Sequence, residues 1–277
     1  MSAINALKEI LETTQTAEFV TTMLRDISAT KLQAIRGKFE ANQKYFEELH
    51  VLMALVQSYA AEANIILKDE KEHKRVYVAV TSNKRFYGNL NHEIIRALYA
   101  ELLHDKDVST LIVGQTGQQI ASVNPLPQKP EYFMFQKDDP TDDELYDLIQ
   151  KLNVYEEVLV IHPTFINSFQ QHAKTTDITH VPLRKEVVKR EIDYLLEPDI
   201  PKIVEFFRTQ TRLTLFMRVL LETQVAFTGA RLMKMQRARE KAGEMVKSQL
   251  HTIHKETSTM KNMRLLETFT GFSKKML

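Results

Sequence analysis

The chain has 277 residues, 43% of them hydrophobic and 26% charged, a balance that excludes disorder as its main state and leaves room for one large or two ordinary domains. It contains no cysteine, which removes disulfides, a thiol nucleophile and thiolate metal sites, and its formal net charge of +1 excludes polyanion binding by the chain as a whole. No stretch approaches the roughly eighteen consecutive apolar residues of a membrane span, and Glu9 and Glu12 stand where a targeting peptide would be basic, so a soluble protein is expected.

From Ser2 to Ile66 the chain has no proline and a single glycine, Gly37. Within it Phe46, Leu49, Met53, Val56, Ala60, Ala63 and Leu67 recur at steps of three and four, the contact line of a helix that pairs with another helix. Upstream, Val20, Met23, Leu24, Ile27 and Leu32 also keep a helical period. Thr13, Thr14, Thr16, Thr21, Thr22 and Thr30 dilute it with poorer helix formers, which predicts a curved or interrupted helix there.

At Val76-Tyr77-Val78-Ala79-Val80-Thr81 the pattern changes to a short apolar run of β-branched residues, a buried strand. A turn from Ser82 to Asn89 leads into a helix over Leu90 to Leu103, with Ile94, Ile95, Leu98 and Leu102 on one face. Thr110 to Val113 reads as a second strand, ending at Gly114 before the polar Gln115 to Ala121; Asn124 to Pro130 reads as a loop. Thr141 to Leu152 is a helix with Thr141 as N-cap and Glu144 as its capping-box partner. A third strand over Glu157 to His162, a helix from Thr164 to His172 and a short strand at Ile178 to Pro182 complete the series. Strands alternating with helices predict a parallel, doubly wound unit of Rossmann-like type.

After Glu197-Pro198-Asp199-Ile200-Pro201 no further proline occurs, and a second long helix is expected to Leu277. Its contact line is read as Met235, Ala238, Ala242 and Met245, with Val246, Leu250, Ile253, Thr257 and Met260 one track over. The fold class is therefore α/β: a long antiparallel coiled coil of residues 1–70 and 198–277, with a Rossmann-like parallel α/β domain, residues 71–197, inserted between them.

The strand ends carry little chemistry. Ser82 to Gly88 has neither a phosphate-cradling glycine repeat nor a P-loop lysine, and Gly114-Gln115-Thr116-Gly117 has the wrong spacing for a dinucleotide fingerprint, so these glycines read as tight turns and no cofactor is expected. His251 and His254 lie one helical turn apart without the third ligand that zinc wants; a solvated helix face is the plainer reading, and no metal is expected. No serine, histidine and carboxylate share a local catalytic signature. What stands out is charge: from Arg231 to Arg264, Arg231, Lys234, Arg237, Arg239, Lys241, Lys247, Lys255, Lys261 and Arg264 face only Glu240, Glu244 and Glu256. With no interleaved aromatics or nucleic-acid motif, this basic excess suits an acidic protein lining better than a nucleic acid, beside the plain alternative of a solvated face.

Taken in order along nearly the whole chain, these segments resemble the gamma subunit of rotary F-type ATP synthases. Ile27-Ser28-Ala29-Thr30-Lys31-Leu32 is similar to that family's valine-alanine-alanine-alanine-lysine-leucine stretch, and Arg25 stands where the family has lysine. In the turn after the first strand, Ser82, Gly88, Leu90 and Asn91 agree with the family loop, and Lys84 replaces its arginine. Tyr155 to Pro182 is similar to the family's third strand and the helix after it, and Tyr194-Leu195-Leu196-Glu197-Pro198-Asp199 resembles the start of its last helix. Leu220-Leu221-Glu222, Ala230-Arg231-Leu232, Met235, Ala242-Gly243-Glu244, Leu265-Leu266-Glu267 and Gly271 recur at family spacing. Gln236-Arg237-Ala238-Arg239 and Thr257-Ser258 depart from the common pattern, and the Gln236-Arg237-Ala238 variant with the Thr270-Gly271-Phe272 end resembles a divergent branch found in sodium-type and other alternative rotary ATPases.

The resemblance implies a subunit without its own catalytic site, a rotor shaft that couples ion-driven rotation to nucleotide chemistry on a surrounding ring of three alpha and three beta subunits. It further implies contacts with an epsilon subunit and a membrane c-type ring, no nucleic acid, and a peripheral position on the cytoplasmic face of a bacterial or archaeal cell membrane. Arg25, Lys31, Arg237, Arg239 and Lys241 are the expected contacts with acidic ring loops. Two other readings stay open: a gamma-like shaft of an ATPase assembly not coupled to ion transport, and a coiled-coil adaptor with an α/β recognition domain.

Overall fold

The structure is a computed structural model that describes residues 2–62, 74–84, 86–105, 107–136, 140–167, 170–179, 197 and 199–275. The elements run α1 (Ser2–Glu62), β1 (Arg75–Val80), α2 (Leu90–His104), β2 (Ser109–Val113), α3 (Gln115–Val123), β3 (Glu131–Phe133), α4 (Asp142–Leu152), β4 (Glu157–Asn167), β5 (Gln170–Asp177) and α5 (Ile200–Lys275).

Helix α1 is continuous, so of the curved or interrupted helix expected among its threonines the interruption does not occur. The hydroxyls of Thr13, Thr14, Thr16, Thr21 and Thr22 each donate to the carbonyl four residues back, at 2.8–2.9 Å, as does Ser28 to Leu24 at 2.7 Å. Their polar demand is met inside the helix, so they do not compete with its backbone bonds.

The strands form one sheet in the order β3-β2-β1-β4-β5. Strands β3, β2, β1 and β4 are mutually parallel, and β5 returns antiparallel to β4. The helix expected over Thr164 to His172 is instead the end of β4 and the start of β5, with Thr164 opposite His172. Thr164, Phe165 and Ile166 are β-branched or aromatic and simply prolong the strand that precedes them. The strand expected at Ile178 to Pro182 lies earlier, at β5. Ile178 instead follows it as a fully buried residue whose amide donates to the Val158 carbonyl at 3.1 Å, and residues 180–182 lie outside the described residues. Helix α3 arises where only a polar stretch was expected, Asn124 to Pro130 is the loop that was expected, and the short edge strand β3 after it was not foreseen. The Thr141 capping box forms as read, with Glu144 N donating to Thr141 Oγ1 and Thr141 N to Glu144 Oε2.

Period-two alternation in β1 splits the core between the two faces of the sheet. Val76, Val78 and Val80, with Leu111, Val113, Val158 and Val160, meet Leu145, Leu148, Ile149 and Leu152 of α4 and Phe216, Val219 and Leu220 of α5. Tyr77 and Ala79, with Ile112 and Ile161, meet Leu90, Ile94, Ile95, Leu98 and Leu102 of α2 and Phe227 and Ala230 of α5. Each fully buried aliphatic side chain contributes about 1.5–3 kcal/mol. Helix α5 thus serves both faces.

The chain divides into two compact units, Thr30–Arg231 and a second formed by Met1–Ala29 with Leu232–Leu277. In the first, Met53 and Val56 pack on Val204, and Arg218 lies over the Phe39 ring at 5.8 Å, an antiparallel pairing of α1 with α5. Leu49, Met53 and Val56 are buried there as their spacing predicts; the side chains of Ala60, Ala63 and Leu67 lie outside the described residues. In the second unit the pairing is again antiparallel: Gln249 Nε2 donates to Thr14 Oγ1 at 3.1 Å, and Gly243 lies against Glu18.

The α5 contact line in this second unit follows the one expected except at Met245 and Leu250, and the α1 side is lined differently. Thr14 and Ser28 are buried, whereas Phe19, Val20, Met23 and Ile27 are exposed, at 47–64%. On α5, Met235 and Ala242 are buried and Val246, Ile253, Thr257 and Met260 half-buried, but Met245 and Leu250 face outward and Gln249 takes the inward position. On α1 hydroxyl-bearing side chains line the seam and larger apolar ones are left outside it, while α5 brings Met235, Ala242, Val246, Ile253 and Met260 to it together with Gln249.

Candidate functional site

Two regions hold the residues singled out from the sequence: the loop after β1 and the basic surface of the paired helices. In the loop, Ser82 and Asn91 are buried and bonded reciprocally, Ser82 N to Asn91 Oδ1 at 3.0 Å and Asn91 Nδ2 to Ser82 Oγ at 2.9 Å. Ser82 Oγ then donates to the Lys84 carbonyl at 2.9 Å. Leu90 is buried at the start of α2, while Lys84 is exposed. Gly88, at φ 69°, and Phe86, at φ 74°, both take the left-handed conformation, and between them Tyr87 turns inward while Phe86 stays exposed. The Tyr87 ring meets Phe227 at 4.7 Å and carries the Arg231 guanidinium at 4.4 Å, an aromatic and cation–π stack.

In a doubly wound sheet, the amides at a helix N-terminus beside the strand ends are where a phosphate would bind. At α3 they already have partners: Gln115 N donates to Asn83 Oδ1 at 2.9 Å, Thr116 N to the Ser82 carbonyl at 3.0 Å, and Gly117 N to Thr81 Oγ1 at 3.0 Å. A Cβ on Gly114 would stand 2.5 Å from the Thr81 carbonyl oxygen, and one on Gly117 2.5 Å from Thr81 Oγ1. The two glycines therefore let α3 close onto the β1 loop, filling the phosphate position with protein. Thr81, Thr116 and Tyr87, which complete this network, were missed from the sequence. Their signal was adjacency to the Ser82 and Gly114 turns, since no single one of them forms a motif.

The basic candidates differ in setting. Arg237 and Lys241 are exposed, Arg239 is half-exposed, and Arg25, half-buried, donates to its neighbour Asp26 from Nε at 2.8 Å and from an Nη at 2.6 Å. Lys31 belongs to the unit of residues 30–231 and is half-buried beside the ends of β1 and β2, whereas the other four belong to the second unit. His251 and His254 are both exposed, and among the described residues no group of three His, Asp or Glu side chains is placed to hold a metal. No described helix is long and apolar enough to cross a membrane.

Two long helices paired at both ends of the sequence around an inserted doubly wound sheet define the class of rotary ATPase central stalks. A sequence profile described as ATP synthase matches residues 3–263. The chain is 24% identical over 259 residues to the ATP synthase gamma chain of Clostridium novyi, covering 87% of each chain, and 24% identical to that of Cytophaga hutchinsonii, covering 98% of each. Its fold is similar to the central stalk of the Tetrahymena thermophila mitochondrial ATP synthase, with a TM-score of 0.58 at 18% identity over 79% of this chain and 99% of that one. A chain of the Euglena gracilis mitochondrial ATP synthase gives 0.52 at 12% identity, over 88% and 94%. The chain belongs to the ATP synthase family, on its gamma branch.

Proposed function

We propose that this gamma chain is the non-catalytic central shaft of an F-type ATP synthase, turning inside a ring of three alpha and three beta subunits that carry the nucleotide chemistry. The observation that carries the reading is the surface of the paired helices in the unit of residues 1–29 and 232–277. There Ile10, Phe19, Val20, Met23 and Ile27 point outward while Thr14 and Ser28 occupy the seam. An apolar helix face left uncovered by its own partner calls for cover by another protein. Around it, Arg237, Arg239 and Lys241 supply positive charge for acidic ring loops, and Arg25 adds a base partly neutralised by Asp26. The shaft works by presenting different side chains to each catalytic subunit, so that rotation shifts each between conformations through differential contact. An epsilon subunit and a membrane c-type ring complete the rotor, at the cytoplasmic face of a bacterial or archaeal cell membrane.

The test is torque. Each exposed base contributes under about 1 kcal/mol alone, so Arg237→Gln, Arg239→Gln and Lys241→Gln are combined in the reconstituted complex. Torque during ATP-driven rotation should fall, and ATP turnover by the isolated chain should be absent. Unchanged torque removes the ring-contact assignment, and turnover by the chain alone removes the non-catalytic one.

A further inference from the structure

Between Ala226 and Ala230 no face of α5 is open. Ala226, Phe227, Thr228, Gly229 and Ala230 are all buried, and five successive residues exceed the roughly 3.6 of one helical turn. A helix lying on a sheet ordinarily buries one side only. Arg231 is the last residue of its unit, so α5 is enclosed just before it passes into residues 232–277.

Two aromatic rings close on this segment from two different connections. Tyr87, from the loop after β1, has its ring 4.7 Å from that of Phe227 and lies beneath the Arg231 guanidinium at 4.4 Å. Phe165, near the end of β4, lies against Gly229, where an added Cβ would stand 2.7 Å from Phe165 Cε2 and 3.1 Å from its Cδ2. At about 100° per residue, Gly229 is roughly 160–200° around α5 from Phe227 and Arg231. The two rings therefore hold α5 from opposite sides.

Each ring is carried by irregular backbone. Phe86 and Gly88 flank Tyr87 at φ 74° and 69°, and Phe86 is a bulky residue in a left-handed conformation that only its surroundings can sustain. In β4 the pairing with β5 shifts register between Phe165 and Asn167, a bulge that bends the strand. By then β4 has left β1: those two pair from Glu157 to Ile161, and beyond that the strand partner of β4 among the described residues is β5. A two-stranded ribbon is marginal by itself, and the contact of Phe165 with Gly229 gives it a seat on a helix. Glycine inside a helix is less stable than alanine, but only glycine leaves room for the ring.

We propose that Tyr87 and Phe165 form a collar that keeps α5 from turning in its seat on the sheet, and that they are positioning residues for the torque α5 carries. The torque role rests on the shaft reading, whereas the collar itself rests on the packing. Twist passed along α5 into or out of residues 30–231 meets the sheet domain first at this level, where slip would be lost rotation.

Amide exchange of the full chain, read by mass spectrometry over residues 225–231, tests the collar. Tyr87→Ala and Phe165→Ala should each speed it about tenfold, the loss of one aromatic contact. Gly229→Ala should also speed it, although alanine favours a helix. Tyr87→Phe, which keeps the ring, and Tyr146→Ala, on the exposed face of α4, should match the unaltered chain. No change in Tyr87→Ala or in Phe165→Ala overturns the collar, and does so whatever the torque test of the shaft gives. The rotary readout is the angular spread of a bead on Ser122→Cys, exposed on α3 in a chain with no other cysteine, in the reconstituted complex with its ring held in one state. That spread should widen in Tyr87→Ala with Phe165→Ala but not in Ile149→Val, a core change under α4. Faster exchange with an unchanged spread overturns the torque role. If Phe165→Ala fails to fold, Phe165→Leu, which leaves the notch part empty, takes its place in both measurements.

Discussion

Three glycines provide a graded test of the close fit at the ends of β1 and β2. Gly114 has φ 103° and ψ 147°, a region open in practice only to glycine, and occupying it with alanine costs about 1–3 kcal/mol. The added Cβ would also stand 2.5 Å from the Thr81 carbonyl oxygen, 2.9 Å from its carbon and 2.8 Å from Oγ1, so the end of β1 has to shift, at about 1–3 kcal/mol more. Gly114→Ala should therefore destabilise by about 4 kcal/mol in all. Gly88, at φ 69° and exposed, carries a left-handed penalty, so Gly88→Ala should lose about 1 kcal/mol. Gly37 lies inside α1 with nothing within 4 Å of the place an added methyl would take, and Gly37→Ala should gain roughly 0.5–1 kcal/mol. The chain has no tryptophan, so the assay is urea unfolding followed by tyrosine near-ultraviolet circular dichroism, to which the buried Tyr77 and Tyr87 contribute. If Gly114→Ala costs no more than Gly88→Ala, the reasoning that the β1 loop and α3 are closed by backbone contact fails.

His162 is fully buried, with Nε2 2.9 Å from Thr176 Oγ1, and burial, opposed by its bond to the Pro163 carbonyl, lowers its pKa to about 4. The unfolded chain then binds the extra proton first, so stability falls as pH drops from about 6.5 towards 4, by up to about 3 kcal/mol; His162→Gln should flatten that slope in unfolding measured at a series of pH values. In the polar seam, Thr14 Oγ1 accepts from Gln249 Nε2, and Gln249 Oε1 is buried without a partner. Thr14→Val alone should cost about 1–3 kcal/mol, yet the same change beside Gln249→Leu should be near neutral, because no donor is then stranded. A double-mutant cycle on thermal unfolding by far-ultraviolet circular dichroism would show no coupling if the bond contributes nothing.

The strands β1, β2 and β4 were legible because each is a short run of apolar β-branched residues, and α4 because Thr141 and Glu144 mark its start. The β4–β5 hairpin was not. A helical pattern was read across Thr164 to His172 because doubly wound units alternate, whereas the antiparallel return depends on β4 and β5 finding each other, which no local pattern encodes. In the second unit the misreading had another cause. Val20, Met23 and Ile27 keep a helical period, and periodicity reveals a face without saying whether that face meets its own chain or another. The loop residues Ser82, Leu90 and Asn91 were found through family likeness, while Thr81 and Tyr87 became visible only once hydrogen bonds and ring contacts could be followed.

The antiparallel seam has a consequence in time. Asn42 of α1 donates to the carbonyl of Thr214, 172 residues further on, at 3.4 Å, so the first helix leaves the ribosome long before its mate exists. At synthesis rates of about 5–20 residues per second, the wait is roughly ten to thirty seconds. Throughout it α1 is an unpaired helix, and Leu49, Met53 and Val56, which the finished protein buries, stand uncovered. The seam that closes the finished protein is thus an apolar surface that has to wait while the chain is still being made.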